Sequence, residues 1–126
     1  MLLDNNKKIL IYGFDEKGEN LIKKITKENV LLECSVMNKS MSQMQIIDII
    51  NGLNLQVLDN NLPDEKVILF NNLSDDELER AIKHIKNEFK ELPILAVVTP
   101  TSAKWTLKAL INHLIEERNW FKQQRK

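Results

Sequence analysis

The sequence predicts an α/β domain built as a tandem β-α-β-α repeat. The expected sheet has four mostly parallel strands in the order 2-1-3-4, with helices on both faces. Three observations carry this expectation. The apolar run Lys8-Ile9-Leu10-Ile11-Tyr12-Gly13-Phe14-Asp15 is echoed by Lys66-Val67-Ile68-Leu69-Phe70-Asn71-Asn72-Leu73-Ser74, each ending in a capping residue and a helical pattern. A second apolar run follows each helix, Val30 to Val36 and then Ile94 to Val98, and a further amphipathic stretch follows each of those. Finally, the runs are continuous rather than alternating, as in strands covered on both faces.

Ile9 to Tyr12 forms the first expected strand. Asp15 caps the next helix, which buries Leu21, Ile22 and Ile25 at helical spacing. Val30 to Val36 is the second expected strand, interrupted by Glu33 and Ser35. Ser40 or Ser42 opens a helix with Ile46, Ile49, Ile50 and Leu53 on one side, and Asn51-Gly52 stops it. Leu53 to Asp64 links the copies: Leu55, Val57 and Leu58 suit a short edge strand, while Asp59-Asn60-Asn61 and Pro63 are turn chemistry.

In the second copy, Val67 to Phe70 is the strand. Ser74 and Glu77 have capping-box spacing, Leu73 and Leu78 stand at staple positions, and Asp75, Asp76 and Glu77 suit the positive end of the helix dipole. Leu78, Ala81, Ile82, Ile85 and Phe89 make the buried stripe, Pro93 breaks it, and Ile94 to Val98 is the fourth strand. With parallel neighbours, the strand order reverses between strands one and three. A ligand crevice is then expected beyond their carboxyl ends, at Gly13 and Asn71. The competing topology is a ferredoxin-like split with antiparallel neighbours.

At 126 residues and 43% apolar composition the chain suits a single domain, residues 1–126. The pseudo-repeat halves run over about 7–53 and 65–117, with a basic tail over 118–126. Lys plus Arg equals Asp plus Glu at 18 each, so no overall field draws nucleic acid or an anionic membrane, and neither is expected as a partner. No apolar run spans a bilayer, and the first residues lack a secretory pattern. The lone Cys34 fits a reducing compartment, giving a cytoplasmic expectation.

The most distinctive segment is Ala96-Val97-Val98-Thr99-Pro100-Thr101-Ser102-Ala103-Lys104-Trp105-Thr106-Leu107. A strand runs into a proline that ends ladder pairing, and Ser102 or Thr101 then caps the final helix. The hydroxyls of Thr99, Thr101 and Ser102, the helix N–H groups and Lys104 form a candidate anion site; the plainer role of those hydroxyls is capping. Glu65 to Glu117 resembles a bacterial family, domain of unknown function 3783, in which an Ala-Val-Val-Thr-Pro-Thr-Asn-x-x-Trp-Thr-Leu segment closes the domain. Ser102 stands where that pattern has Asn. The resemblance covers the second half only and implies no activity, substrate or cofactor.

Along the final helix, Leu107, Leu110, Ile111, Leu114 and Phe121 share one face. Trp105, Ala109, Glu116 and Trp120 share nearly the opposite one, flanked by Asn112 and His113. That second face is either folded against the protein's own body or a surface for a partner or a second copy. The glycines of Tyr12 to Gly18 fit neither the dinucleotide nor the nucleotide-triphosphate pattern. His84 and His113 lack companions at ligand spacing, so no metal or other cofactor and no catalytic residue is expected. The expectation is a non-enzymatic interaction module with a protein partner or homo-oligomer; the alternative is a sensor or enzyme for a small anionic ligand.

Overall fold

A computed structural model of the chain describes residues 7–32, 34–52 and 62–124. The order of elements is β1 (Lys8–Tyr12), α1 (Glu16–Val30), β2 (Cys34–Val36), α2 (Ile46–Ile50), β3 (Val67–Asn71), α3 (Asp75–Glu88), β4 (Ile94–Val97) and α4 (Leu107–Gln124). Two 3-10 turns, Lys39–Met41 and Ser102–Lys104, precede α2 and α4. The chain divides into two compact units, each assembled from two stretches. One holds residues up to Met37 and Glu65–Val98; the other holds Asn38–Asp64 and the chain from Thr99.

The first unit contains the whole sheet, in the order β2-β1-β3-β4. β1 pairs with β2, and β3 with β4, in parallel, as expected of strands joined by a helical crossover. The central pair differs from the sequence expectation: β1 and β3 run antiparallel, with Lys8 opposite Asn71, Leu10 opposite Leu69 and Tyr12 opposite Val67. The sheet is therefore mixed. Continuous apolar strands bury the same side chains in either direction, so the pattern could not reveal this reversal.

Ile9, Ile11, Ile68 and Phe70 project from the sheet into a core closed by Ile22, Ile25 and Val30 of α1 and Ala81 and Ile85 of α3. Leu10, Val67 and Leu69, at the alternate strand positions, are also fully buried. The Asp15 carboxylate accepts a hydrogen bond from the Gly18 N–H at 2.7 Å, capping α1. The capping box of α3 forms as the spacing predicts: Ser74 Oγ accepts from the Glu77 N–H at 3.2 Å and Glu77 Oε1 from the Ser74 N–H at 2.9 Å. Phe89 ends α3, and its ring meets Phe14 edge-on with centroids 5.8 Å apart.

Helix α1 extends into the segment expected to be strand two. Ile22, Thr26 and Val30 continue its buried face, and the helix stops only at Leu31 in the left-handed conformation, φ 57°. The strand is left with Cys34–Val36. Gly13 also has positive φ, at 89°, and a β-carbon there would lie 1.9 Å from the Glu65 carbonyl oxygen. This close approach requires glycine.

In the second unit both helices begin later than the hydroxyl residues suggested. Asn38, rather than a serine, caps the first 3-10 turn, accepting from the Ser40 N–H at 3.0 Å. Five residues, Ile46–Ile50, then form α2, with Ile46, Ile49 and Ile50 buried. Leu53 and the proposed edge strand Leu55–Leu58 lie outside the described residues. The two approaches to α2 and α4 are joined crosswise: the Ile46 N–H donates to the Trp105 carbonyl and the Leu107 N–H to the Met44 carbonyl, each at 2.9 Å. Gln45 and Thr106 form an antiparallel bridge. This bridging holds residues 105 and 106 extended, which is why α4 cannot start at Ser102.

Candidate functional site

At the strand-to-helix junction, Thr99 and Ser102 engage each other. Ser102 Oγ accepts from the Thr99 N–H at 2.9 Å, and Thr99 Oγ1 accepts from the Ser102 N–H at 3.0 Å. The two hydroxyl oxygens stand 3.2 Å apart, and Ser102 is buried. These groups close a 3-10 turn, and the cap of α4 falls instead to Thr106, whose Oγ1 accepts from the Ala109 N–H at 3.1 Å. Thr101, just before the turn, and Lys104, its last residue, are exposed.

Gly13 and Asn71, expected to share a crevice, do not come together. In the antiparallel register Asn71 lies opposite Lys8, and Gly13 follows Tyr12, which lies opposite Val67. They stand at opposite ends of the strand pair, roughly 15 Å apart by strand rise. The space beside Gly13 is filled by the Glu65 backbone.

The face built around α4 has a clearer shape. Trp105 sits in extended backbone just before the helix, and its half-buried ring meets His113 edge-on, with centroids 5.1 Å apart. His113 Nε2 lies 3.6 Å from a Glu117 carboxylate oxygen one turn later. Ala109 and His113 are exposed. Burial along α4 is confined to Leu107, Leu110 and Ile111; Leu114 and Ile115 are half-buried. Beyond them Trp120 and Phe121 are both 55% exposed, and their rings meet edge-on at 5.1 Å. Sequence periodicity assigned Phe121 to the core stripe, but the helix outruns the residues it buries. The available signal was length: Phe121 lies almost three turns beyond Ile111, by about 3.6 residues per turn.

Among the described residues no group of three or more His, Cys, Asp or Glu side chains is placed to hold a metal ion. Burial pushes the Cys34 thiol up, against the opposing pull of Lys23, disfavouring the thiolate a nucleophile would need. No described helix is long and apolar enough to cross a membrane.

Residues 66–121 match the family described as Domain of unknown function (DUF3783). That span opens at the residue before β3 and ends at Phe121. No curated protein and no solved structure gives a significant match to the chain.

Proposed function

We propose that this chain is a non-enzymatic interaction module that docks through the C-terminal half of α4. The observation that carries the reading is the Trp120–Phe121 pair, two large aromatic side chains held together in the open at the end of a helix. Aromatic residues anchor protein contacts disproportionately, because they bury a large area at small conformational cost. Light scattering on the wild type and on a Trp105→Ala/Trp120→Ala variant tests it. The expected result is a wild-type particle heavier than one 14.7 kDa chain and a folded, monomeric variant. Two monomers, with no partner bound to either, would count against the reading.

The alternative, a small anion at the junction, retains Thr101 and Lys104 as its exposed groups. The mutual bonding of Thr99 and Ser102 weighs against it, since those hydroxyls already have partners. Thermal shifts against millimolar phosphate and carboxylates test it, and stabilisation lost in Thr101→Ala would favour it.

We also infer that the halves are copies of one β-α-β-α module, the second being the part that matches the family. The support is positional. Leu10 and Leu69 correspond in the sequence repeat and lie opposite each other in the sheet. Gly13 and Asn72, both with positive φ, correspond, as do the caps Asp15 and Ser74. The Met37 N–H donates to the Ile11 carbonyl as the Val98 N–H donates to that of Phe70. Ile46, Ile49 and Ile50 of α2 correspond to Leu107, Leu110 and Ile111 of α4, and all six are buried. A cytoplasmic location is proposed on the lone Cys34.

A further inference from the structure

We propose that Asn51 is a site of spontaneous covalent modification, where its carboxamide is converted to aspartate or isoaspartate through a cyclic imide formed with Gly52. The inference goes beyond the docking reading above and does not depend on it.

The chemistry needs only these two residues and water. The Gly52 backbone nitrogen gives up its proton to solvent and attacks the carbonyl carbon of the Asn51 side chain. A new C–N bond forms, the carboxamide C–N bond breaks, and the leaving nitrogen takes a proton from water and departs as ammonia. Water then opens the imide at either of its carbonyls. One opening gives aspartate; the other gives isoaspartate, whose main chain runs through the former side chain. One water is consumed and one ammonia released, with no change of oxidation state.

Two features set Asn51 apart from the other described asparagines. The first is its neighbour: of the three glycines only Gly52 follows an asparagine, and a β-carbon placed there would meet nothing within 4 Å. Nothing beside the attacking nitrogen crowds a five-membered ring. The second is its side chain. The Asn29 amide is tied to the Ile25 carbonyl at 2.9 Å, and the Asn38 side-chain oxygen accepts from the Ser40 N–H at 3.0 Å. Asn51 is exposed, and its carboxamide makes no hydrogen bond among the described residues.

The end of α2 acts as the gate. Asn51 is its carboxyl cap, with ψ 1°, and the Gly52 N–H donates to the Ile49 carbonyl at 3.0 Å. The nitrogen is thereby turned from the side chain, so the closed turn is unreactive. Opening it costs one hydrogen bond at the frayed end of a five-residue helix, while Ile46, Ile49 and Ile50 stay buried. Conversion then leaves a negative charge at the carboxyl end of α2, three residues after Asp48, where the helix dipole disfavours it. Isoaspartate also lengthens the main chain there by one carbon.

Peptide mapping by mass spectrometry, with isoaspartate detection, tests the proposal on the full chain aged in mildly alkaline buffer. Folded wild type, wild type unfolded in urea and the Asn51→Gln variant are compared. Asn51 is expected to convert before any other described asparagine, at a rate within about tenfold of that in the unfolded chain. Isoaspartate should accumulate at 51, and the melting temperature should fall on ageing in wild type but not in Asn51→Gln. Conversion slowed more than about a hundredfold by folding, or led by another described asparagine, overturns the proposal. Aspartate without isoaspartate overturns the imide route. A melting temperature that falls equally in Asn51→Gln overturns the effect assigned to α2.

Discussion

At Gly13 the chain turns back so closely on Glu65 that no side chain fits, and its backbone has a φ of 89° that other residues avoid. Gly13→Ala is expected to lose about 3 kcal/mol or more in urea unfolding, because the strained conformation adds to a clash with rigid backbone. Leu31 presents the opposite case. It holds a left-handed cap at φ 57° with 86% of its surface exposed, so its side chain contributes little packing. Leu31→Gly is expected to raise stability by about 0.5–1 kcal/mol, detectable as a higher melting temperature. The hydrogen bond from the Ser74 N–H chiefly holds the Glu77 carboxyl below its ordinary range; burial opposes this, and Lys7 at 3.1 Å assists. A depressed folded-state value means the contribution is complete above the unfolded value and is lost as pH falls through the folded one. The stability gap between wild type and Glu77→Gln should therefore hold at neutral pH and close below about pH 4.

Among the elements, what was legible in the sequence was what is decided locally. Ser74 and Glu77 need only their own backbone to form a capping box, and Ile9–Tyr12 and Val67–Phe70 need only continuous apolar character to be buried strands. The misplaced boundaries depended on remote partners. Pairing of Gln45 with Thr106 delays the starts of α2 and α4, and no spacing rule at Ser42 or Ser102 contains that information. The strand two boundary failed because Val30 satisfies both a helical face and an apolar run. The candidate site was half legible: Trp120 was placed off the core stripe with its exposure left open, whereas Phe121 was given to the core on periodicity alone. Substitution separates the two parts of α4. Ile111→Ala is expected to cost about 2–5 kcal/mol in chemical unfolding, while Phe121→Ala should stay within about 0.5 kcal/mol when both are measured at concentrations dilute enough to keep the chain monomeric.

For the whole molecule, the central pairing of β1 with β3 joins residues about 60 positions apart, and bringing such distant segments together precedes most of the reward for pairing them. During synthesis at roughly 5–20 residues per second, β1 therefore leaves the ribosome several seconds before its neighbour exists. Through that interval Ile9, Leu10 and Ile11 have only the three-residue β2 available as a strand partner. The nascent first half is thus the stage at which this protein is most open to chaperone capture, or to mispairing with a neighbouring nascent chain.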